Sequence, residues 1–104
     1  MALSPLYRGK TNIAWQPQLT DDDGNPIFLG SNTVSDLMLR MVEKYKGIVK
    51  VCVGPWTILD IVNGIVEYQW QTSDLDTVGT WLLYVTLAGR PFDPETVEVR
   101  DAPN

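Results

Sequence analysis

Turn-forming residues (Gly, Pro, Asn and Asp) recur along this chain about every eight to twelve residues, and short apolar runs fill the gaps. On an extended backbone, side chains two apart share a face, so an alternating run reads as a strand with one buried side. Short strands between evenly spaced turns point to an all-β sandwich or barrel. The chain has 104 residues, which suits one domain over 1–104, and it shows no internal repeat.

The clearest run is Gly79 to Ala88. Trp81, Leu83, Val85 and Leu87 share one face, and Thr80, Leu82, Tyr84 and Thr86 the other. Apolar mass on both faces suggests a central strand. Val66, Tyr68 and Trp70 alternate with Glu67, Gln69 and Gln71, the pattern of a half-buried strand. Asn63-Gly64 precedes it and readily adopts the two positive φ angles of a type I′ turn, so a hairpin with 56–62 is expected. Residues 48–53 form a β-branched run stopped by Gly54-Pro55, and Val97 and Val99 mark a last strand. In the N-terminal run 12–20, Ile13, Trp15 and Leu19 fall on one face. Pro17 cannot donate to a ladder, which places that run at an edge or breaks it.

Residues 33–46 read two ways. Val34, Leu37, Met38, Met41, Val42 and Tyr45 lie at helical spacing, with Thr33 as an N-cap, Asp36 three residues on and Gly47 as a stop. As a strand, the segment turns Leu37, Leu39 and Met41 inward and leaves Met38 and Arg40 outward. Periodicity alone does not decide between them. The expected core is Trp15, Leu37, Leu39, Val66, Tyr68, Trp70, Trp81, Leu83 and Val85.

The chain contains no histidine. That removes the commonest general base, the Ser-His and Cys-His nucleophile pairs and most zinc and iron sites. The one cysteine, Cys52, cannot form an intrachain disulfide and reads as a small apolar side chain between valines. Asp21-Asp22-Asp23-Gly24 resembles a calcium loop only superficially. With Gly24 as the sixth position, Leu19 and Gly30 occupy the first and twelfth, where oxygen ligands are required. Asp74 and Asp76 read as loop residues bonding their own backbone rather than as a glycosidase pair. No enzyme activity and no catalytic, cofactor-binding or metal-ligating residue is predicted.

Eight Lys and Arg against thirteen Asp and Glu leave a net charge of −5, which argues against a nucleic-acid partner. The longest fully apolar runs are far short of a membrane span, and residues 1–10 hold no signal-peptide pattern, so synthesis and folding in a cytoplasm are expected. Arg40, Lys44, Lys46 and Lys50 are half of the cations, with Glu43 the single acid among them. Such a basic tip on an acidic body steers head-to-tail assembly, or else guards a strand edge. Trp70 and Trp81 sit on inward sets. Trp15 and Trp56 are open between core filling, a protein interface and a sugar-stacking surface.

Several stretches together carry a resemblance. Tyr7-Arg8-Gly9-Lys10 precedes the first run, and Asp23-Gly24-Asn25-Pro26-Ile27-Phe28-Leu29-Gly30 leads into Thr33-Val34-Ser35-Asp36-Leu37-Met38-Leu39-Arg40-Met41. Asn63-Gly64-Ile65-Val66-Glu67-Tyr68-Gln69-Trp70 and Thr77-Val78-Gly79-Thr80-Trp81 follow. Across roughly residues 7 to 100 the chain resembles the N-terminal domain of phage baseplate upper proteins and its stand-alone relatives in phages and prophages. The resemblance implies an immunoglobulin-like antiparallel β-sandwich, with 34–42 as strand and room for a short helix around 42–47. It also implies a structural place in a virion, in a baseplate, tail or neighbouring part. The expected partners are other virion proteins and a second copy of the chain, with Trp15, Trp56, Arg40, Lys44, Lys46 and Lys50 as interface candidates. The alternative is a carbohydrate-binding or adhesin module on a particle surface.

Overall fold

The computed structural model describes residues 5–9, 13–52 and 54–101. Asn12 and Val53, both assigned above to strands, and Lys10 lie outside the described residues. Among the described residues nine strands follow in chain order: β1 Leu6–Tyr7, β2 Ala14–Trp15, β3 Leu37–Glu43, β4 Val49–Cys52, β5 Trp56–Asp60, β6 Ile65–Gln69, β7 Gly79–Leu87, β8 Arg90–Pro91 and β9 Glu95–Arg100. They form two layers. The larger has the order β1-β9-β7-β3-β4 with β8 on β7, and the smaller has β2-β6-β5. Every pairing is antiparallel except β1 on β9. The orders β9-β7-β3-β4 and β2-β6-β5 correspond to the G-F-C-C′ and B-E-D orders of an immunoglobulin-type sandwich. No helix among the described residues is long and apolar enough to cross a membrane.

All nine expected core residues are buried. The smaller layer supplies an aromatic row. Trp15 stacks on Trp70 at 6.2 Å, Trp70 meets Tyr68 edge-on at 5.2 Å, and Tyr68 meets Trp56 edge-on at 4.9 Å. Each such pair is worth about 0.5–1.5 kcal/mol beyond the area it buries. The larger layer packs Leu37, Leu39, Met41, Trp81, Leu83, Val85, Val97 and Val99 against it. β7 is central, paired to β9 on one side and β3 on the other, as its two apolar faces suggest.

The middle of segment 33–46, Leu37–Glu43, is strand. The helix-start signal is obeyed for one turn only: the Thr33 N–H donates to the Asp36 carboxylate at 3.0 Å, and Val34–Asp36 form a single 3-10 turn. From Leu37 the chain extends, because β3 finds ladders on both sides, β7 and β4. Tertiary pairing therefore overrides the helical stripe. The short helix expected around 42–47 is absent. Val42 and Glu43 end β3, and a tight turn follows in which the Gly47 N–H, at φ +70°, donates to the Glu43 carbonyl.

Two further expectations need correction. The β5–β6 hairpin forms, but not through a type I′ turn, since Gly64 at φ +67° is the only residue of that turn with a positive φ. Asp60 organises a longer loop instead, accepting from the N–H groups of Val62 and Asn63 and from the Asn63 amide. Gly64 is required there, because a Cβ would stand 2.7 Å from the Ile27 carbonyl oxygen and 2.8 Å from that of Leu19. In the N-terminal run, Trp15, Pro17 and Leu19 are buried but Ile13 is exposed, and regular pairing stops at Trp15, before the proline.

Candidate functional site

The outward residues of three strands form one surface. On β3 these are Met38, Arg40 and Val42. The ladder sets Arg40 between Tyr84 of β7 and Val51 of β4, and Val42 between Leu82 and Val49. Met38, Val49 and Val51 are each more than half exposed, and Val42, Leu82 and Tyr84 are half-buried. The Arg40 guanidinium lies 5.3 Å from the centre of the Tyr84 ring, a cation–π contact. Towards β8 the surface dips into a groove of about 250 Å³ lined by Met38, Arg40, Val51, Tyr84, Pro91 and Phe92. The result is an exposed apolar face with one cation at its centre.

The other cations are placed differently. Lys44 and Lys46 are exposed on the β3–β4 turn, and Glu43 inside that turn is almost fully buried. Its carboxylate accepts from the N–H groups of Tyr45 (2.7 Å), Lys46 (3.0 Å) and Thr80 (2.6 Å). The Tyr45 amide above all, then those of Lys46 and Thr80, hold its carboxyl below the ordinary value despite the burial that opposes this. Gly79 makes the approach feasible, since a Cβ there would clash with the carboxylate. Lys50 points the other way. Its ammonium donates to the Ser73 carbonyl at 2.9 Å, pairs with Asp76 and sits 5.3 Å from the centre of the Trp81 ring. Of the four cations read as a basic tip, Arg40, Lys44 and Lys46 face solvent. Lys50 fastens the 72–77 loop beneath β4.

The two tryptophans proposed as interface residues do not join this surface. Trp15 and Trp56 retain only 8% and 9% of their exposure and belong to the aromatic row. A stacking platform for a sugar needs exposed rings, and these two are packed against Trp70 and Tyr68. The reason is non-local: β2 and β5 flank β6, so their inward residues meet the same core.

The buried polar groups are organised around structure. Asp74 accepts from the Tyr68 hydroxyl at 2.7 Å and the Gln71 N–H at 2.9 Å, while the Gly54 N–H donates to the Tyr68 oxygen at 3.2 Å. The bond to Gln71 matches the reading of Asp74 as a residue that ties its own loop. Burial, and then the charge of Asp74, push the Cys52 thiol up to about 12, so it is a neutral side chain at pH 7. A larger cavity of about 520 Å³ lies between Gln18–Asp22 and Arg90–Glu95. One of its carboxylates, Asp21, accepts from the Asp23 and Asn25 N–H groups of its own turn. Among the described residues, no three His, Cys, Asp or Glu converge as a metal site would require.

The strand reading of the sequence sets Met38 outward with Arg40 but does not join Val42, Val49, Val51, Leu82 and Tyr84 to them. Their signal was present in Leu82 and Tyr84 on the second face of β7 and in Val49 and Val51 on β4. Only the register shows that these belong to one surface. Compared with known proteins, the chain matches no family model and no curated protein.

Proposed function

We propose that this protein is a non-catalytic structural or assembly component of a phage or prophage particle. It works through protein–protein contacts made by the outer face of the larger sheet. The observation that carries this reading is the exposed apolar surface of Met38, Val42, Val49, Val51, Leu82 and Tyr84 around Arg40. Contiguous apolar surface on a folded domain marks an interaction site. A central cation among aromatic and aliphatic groups suits a protein interface, where Arg and Tyr are enriched. The sequence resemblance to baseplate upper protein domains supplies the kind of assembly.

The test is incorporation. Particles are induced from a bacterium carrying the gene, purified by density gradient and analysed by mass spectrometry. The expected result is that the chain co-purifies with particle proteins and that Arg40→Glu lowers its content at least about tenfold, as a charge reversal at an interface centre should. Absence from purified particles, with the protein abundant in the lysate, overturns the reading.

A further inference from the structure

β4 is the terminal strand of the larger sheet, and among the described residues nothing pairs with its outer side. The phase of its ladder can be read directly. The Glu43 N–H donates to the Ile48 carbonyl at 2.8 Å, and the register continues through Met41–Lys50 and Leu39–Cys52. In an antiparallel ladder bonded and non-bonded pairs alternate. Lys50 and Cys52 therefore bond inward to β3, and the N–H and C=O groups of Val49 and Val51 point off the edge.

Open edges are ordinarily blunted by a charge or a proline. The one charge here is Lys50, which is held under the strand by Asp76, Ser73 and Trp81. It neither projects from the edge nor brings net charge to it. The two residues that do face out, Val49 and Val51, are 55% and 64% exposed.

We propose that this edge pairs with the same edge of a second copy, antiparallel about a two-fold axis through Lys50, to make one sheet continuous across the dimer. Val49 and Val51 are two apart with their backbone groups on the same side. A two-fold through Lys50 sets Val49 opposite Val51 of the second copy as a bonded pair, and Val51 opposite its Val49. The outer-face rows then match. Tyr84, Arg40 and Val51 of one copy run on into Val49, Val42 and Leu82 of the other, joining a cation-and-aromatic half-row to an aliphatic one. Cross-strand neighbours of this kind are the unit of sheet stabilisation. Charge does not oppose the union. The two Arg40 residues stand three strand spacings apart across the sheet, about 14 Å, and two residues apart along it, beyond the screening length of about 8 Å at physiological ionic strength. Each Lys50 meets the axis already paired with its own Asp76. This rests on the reading above that the outer face is a docking surface, and names one occupant for it.

Sedimentation equilibrium of the full chain tests the proposal over about 1 to 300 μM, the range in which a small interface titrates. A monomer–dimer equilibrium is expected. Val51→Lys, which places an exposed charge in the new pair, raises the dissociation constant about a hundredfold or more. Val49→Pro removes an N–H that only the dimer uses and has the same effect, whereas Val62→Lys on the distant β5–β6 turn leaves the constant unchanged. Hydrogen exchange of the unaltered chain gives a mutation-free measure, with the Val49 and Val51 amides slowing as concentration rises. The proposal is overturned by a monomer throughout the range, by a dimer that survives both edge substitutions, or by Val49 and Val51 amides that exchange at one rate at all concentrations. A chain that is monomeric yet still enters particles through Arg40 removes the self-pairing and leaves the particle reading standing. A dimer absent from particles does the reverse.

Discussion

The outer faces of the two sheets differ more than their inner ones. On the smaller sheet the ladder sets Thr57 beside Glu67 and Ala14 beside Gln69, the Gln16 amide donates to Glu67 at 2.7 Å, and half-buried Ile65 and exposed Leu59 stand at the hairpin end. On the larger sheet the part made by β4, β3 and the middle of β7 holds Met38, Val42, Val49, Val51, Leu82 and Tyr84 with Arg40 between them, while Thr80, Thr96 and the ion pair of Glu98 with Arg100 keep the β9 side polar. Both layers bury an apolar inner face, so the fold needs neither outer face to be apolar. A polar outer face satisfies itself with water and neighbouring side chains. An apolar one leaves surface whose burial would be worth roughly 25 cal/mol per Å². The contrast separates residues kept for stability from residues available for contact, and substitutions can test the division.

The largest effect belongs to the inner face. Trp70 is 2% exposed and joins Trp15 to Tyr68 in the aromatic row. Trp70→Ala is expected to lose about 3–5 kcal/mol of unfolding free energy in a urea titration. A loss under about 1 kcal/mol would mean the smaller layer is not part of the cooperative core. Next comes the buried bond network linking that layer to the 72–77 loop. Tyr68→Phe removes the donor to Asp74 and the acceptor for the Gly54 N–H, and should cost about 1–3 kcal/mol by the same titration.

A pH series sharpens the comparison at the end of the larger sheet. The folded carboxyl of Glu43 lies below its ordinary value of 4.5. A depressed folded value means that the stabilisation is fully present above the unfolded value and drains away as pH falls through the folded one. Thermal melts of Glu43→Gln should therefore show a lower Tm than the parent near pH 6 and a shallower acid limb, the curves converging as pH falls through the lowered folded value. Parallel curves would show that the carboxylate charge has no such role. Asp21, Asp60 and Asp76 are lowered as well, by Asn25, Asn63 and Lys50 respectively, and add to the acid limb in the same direction.

The smallest effect is expected on the outer apolar face. Val51→Thr keeps the branched shape and should change monomer stability, measured in dilute solution, by no more than about 0.5 kcal/mol. A loss above about 1.5 kcal/mol would place Val51 with the core residues and end the division between the faces.

Much of this was legible in the sequence. The inward residues of β6, β7 and β9 follow from alternation, and the close of β4 before Gly54-Pro55 follows from that dipeptide. The candidate surface was half legible. Arg40 and Met38 appear as outward residues once 37–43 is read as strand, yet the helical stripe through Val34, Leu37, Met38 and Met41 is equally good locally. Trp15 and Trp56 stay open in the sequence between core filling and contact, because a two-residue strand beside a proline and a strand after Gly-Pro do not reveal which layer covers them. Lys50 was grouped with Lys44 and Lys46 because neighbours in sequence look like neighbours in charge. One side of the strand faces Asp76 and the other faces solvent.

By itself the sequence determined the class of fold, most of the buried set and the absence of histidine chemistry, because the direction of a side chain on an extended backbone is set by its immediate neighbours. The tertiary structure decided whether residues 37–43 extend or coil, which cations remain free, and that a second apolar face stays uncovered at an open edge. Those outcomes depend on strand partners far apart along the chain. Periodicity records which residues share a face and carries no information about what that face will meet.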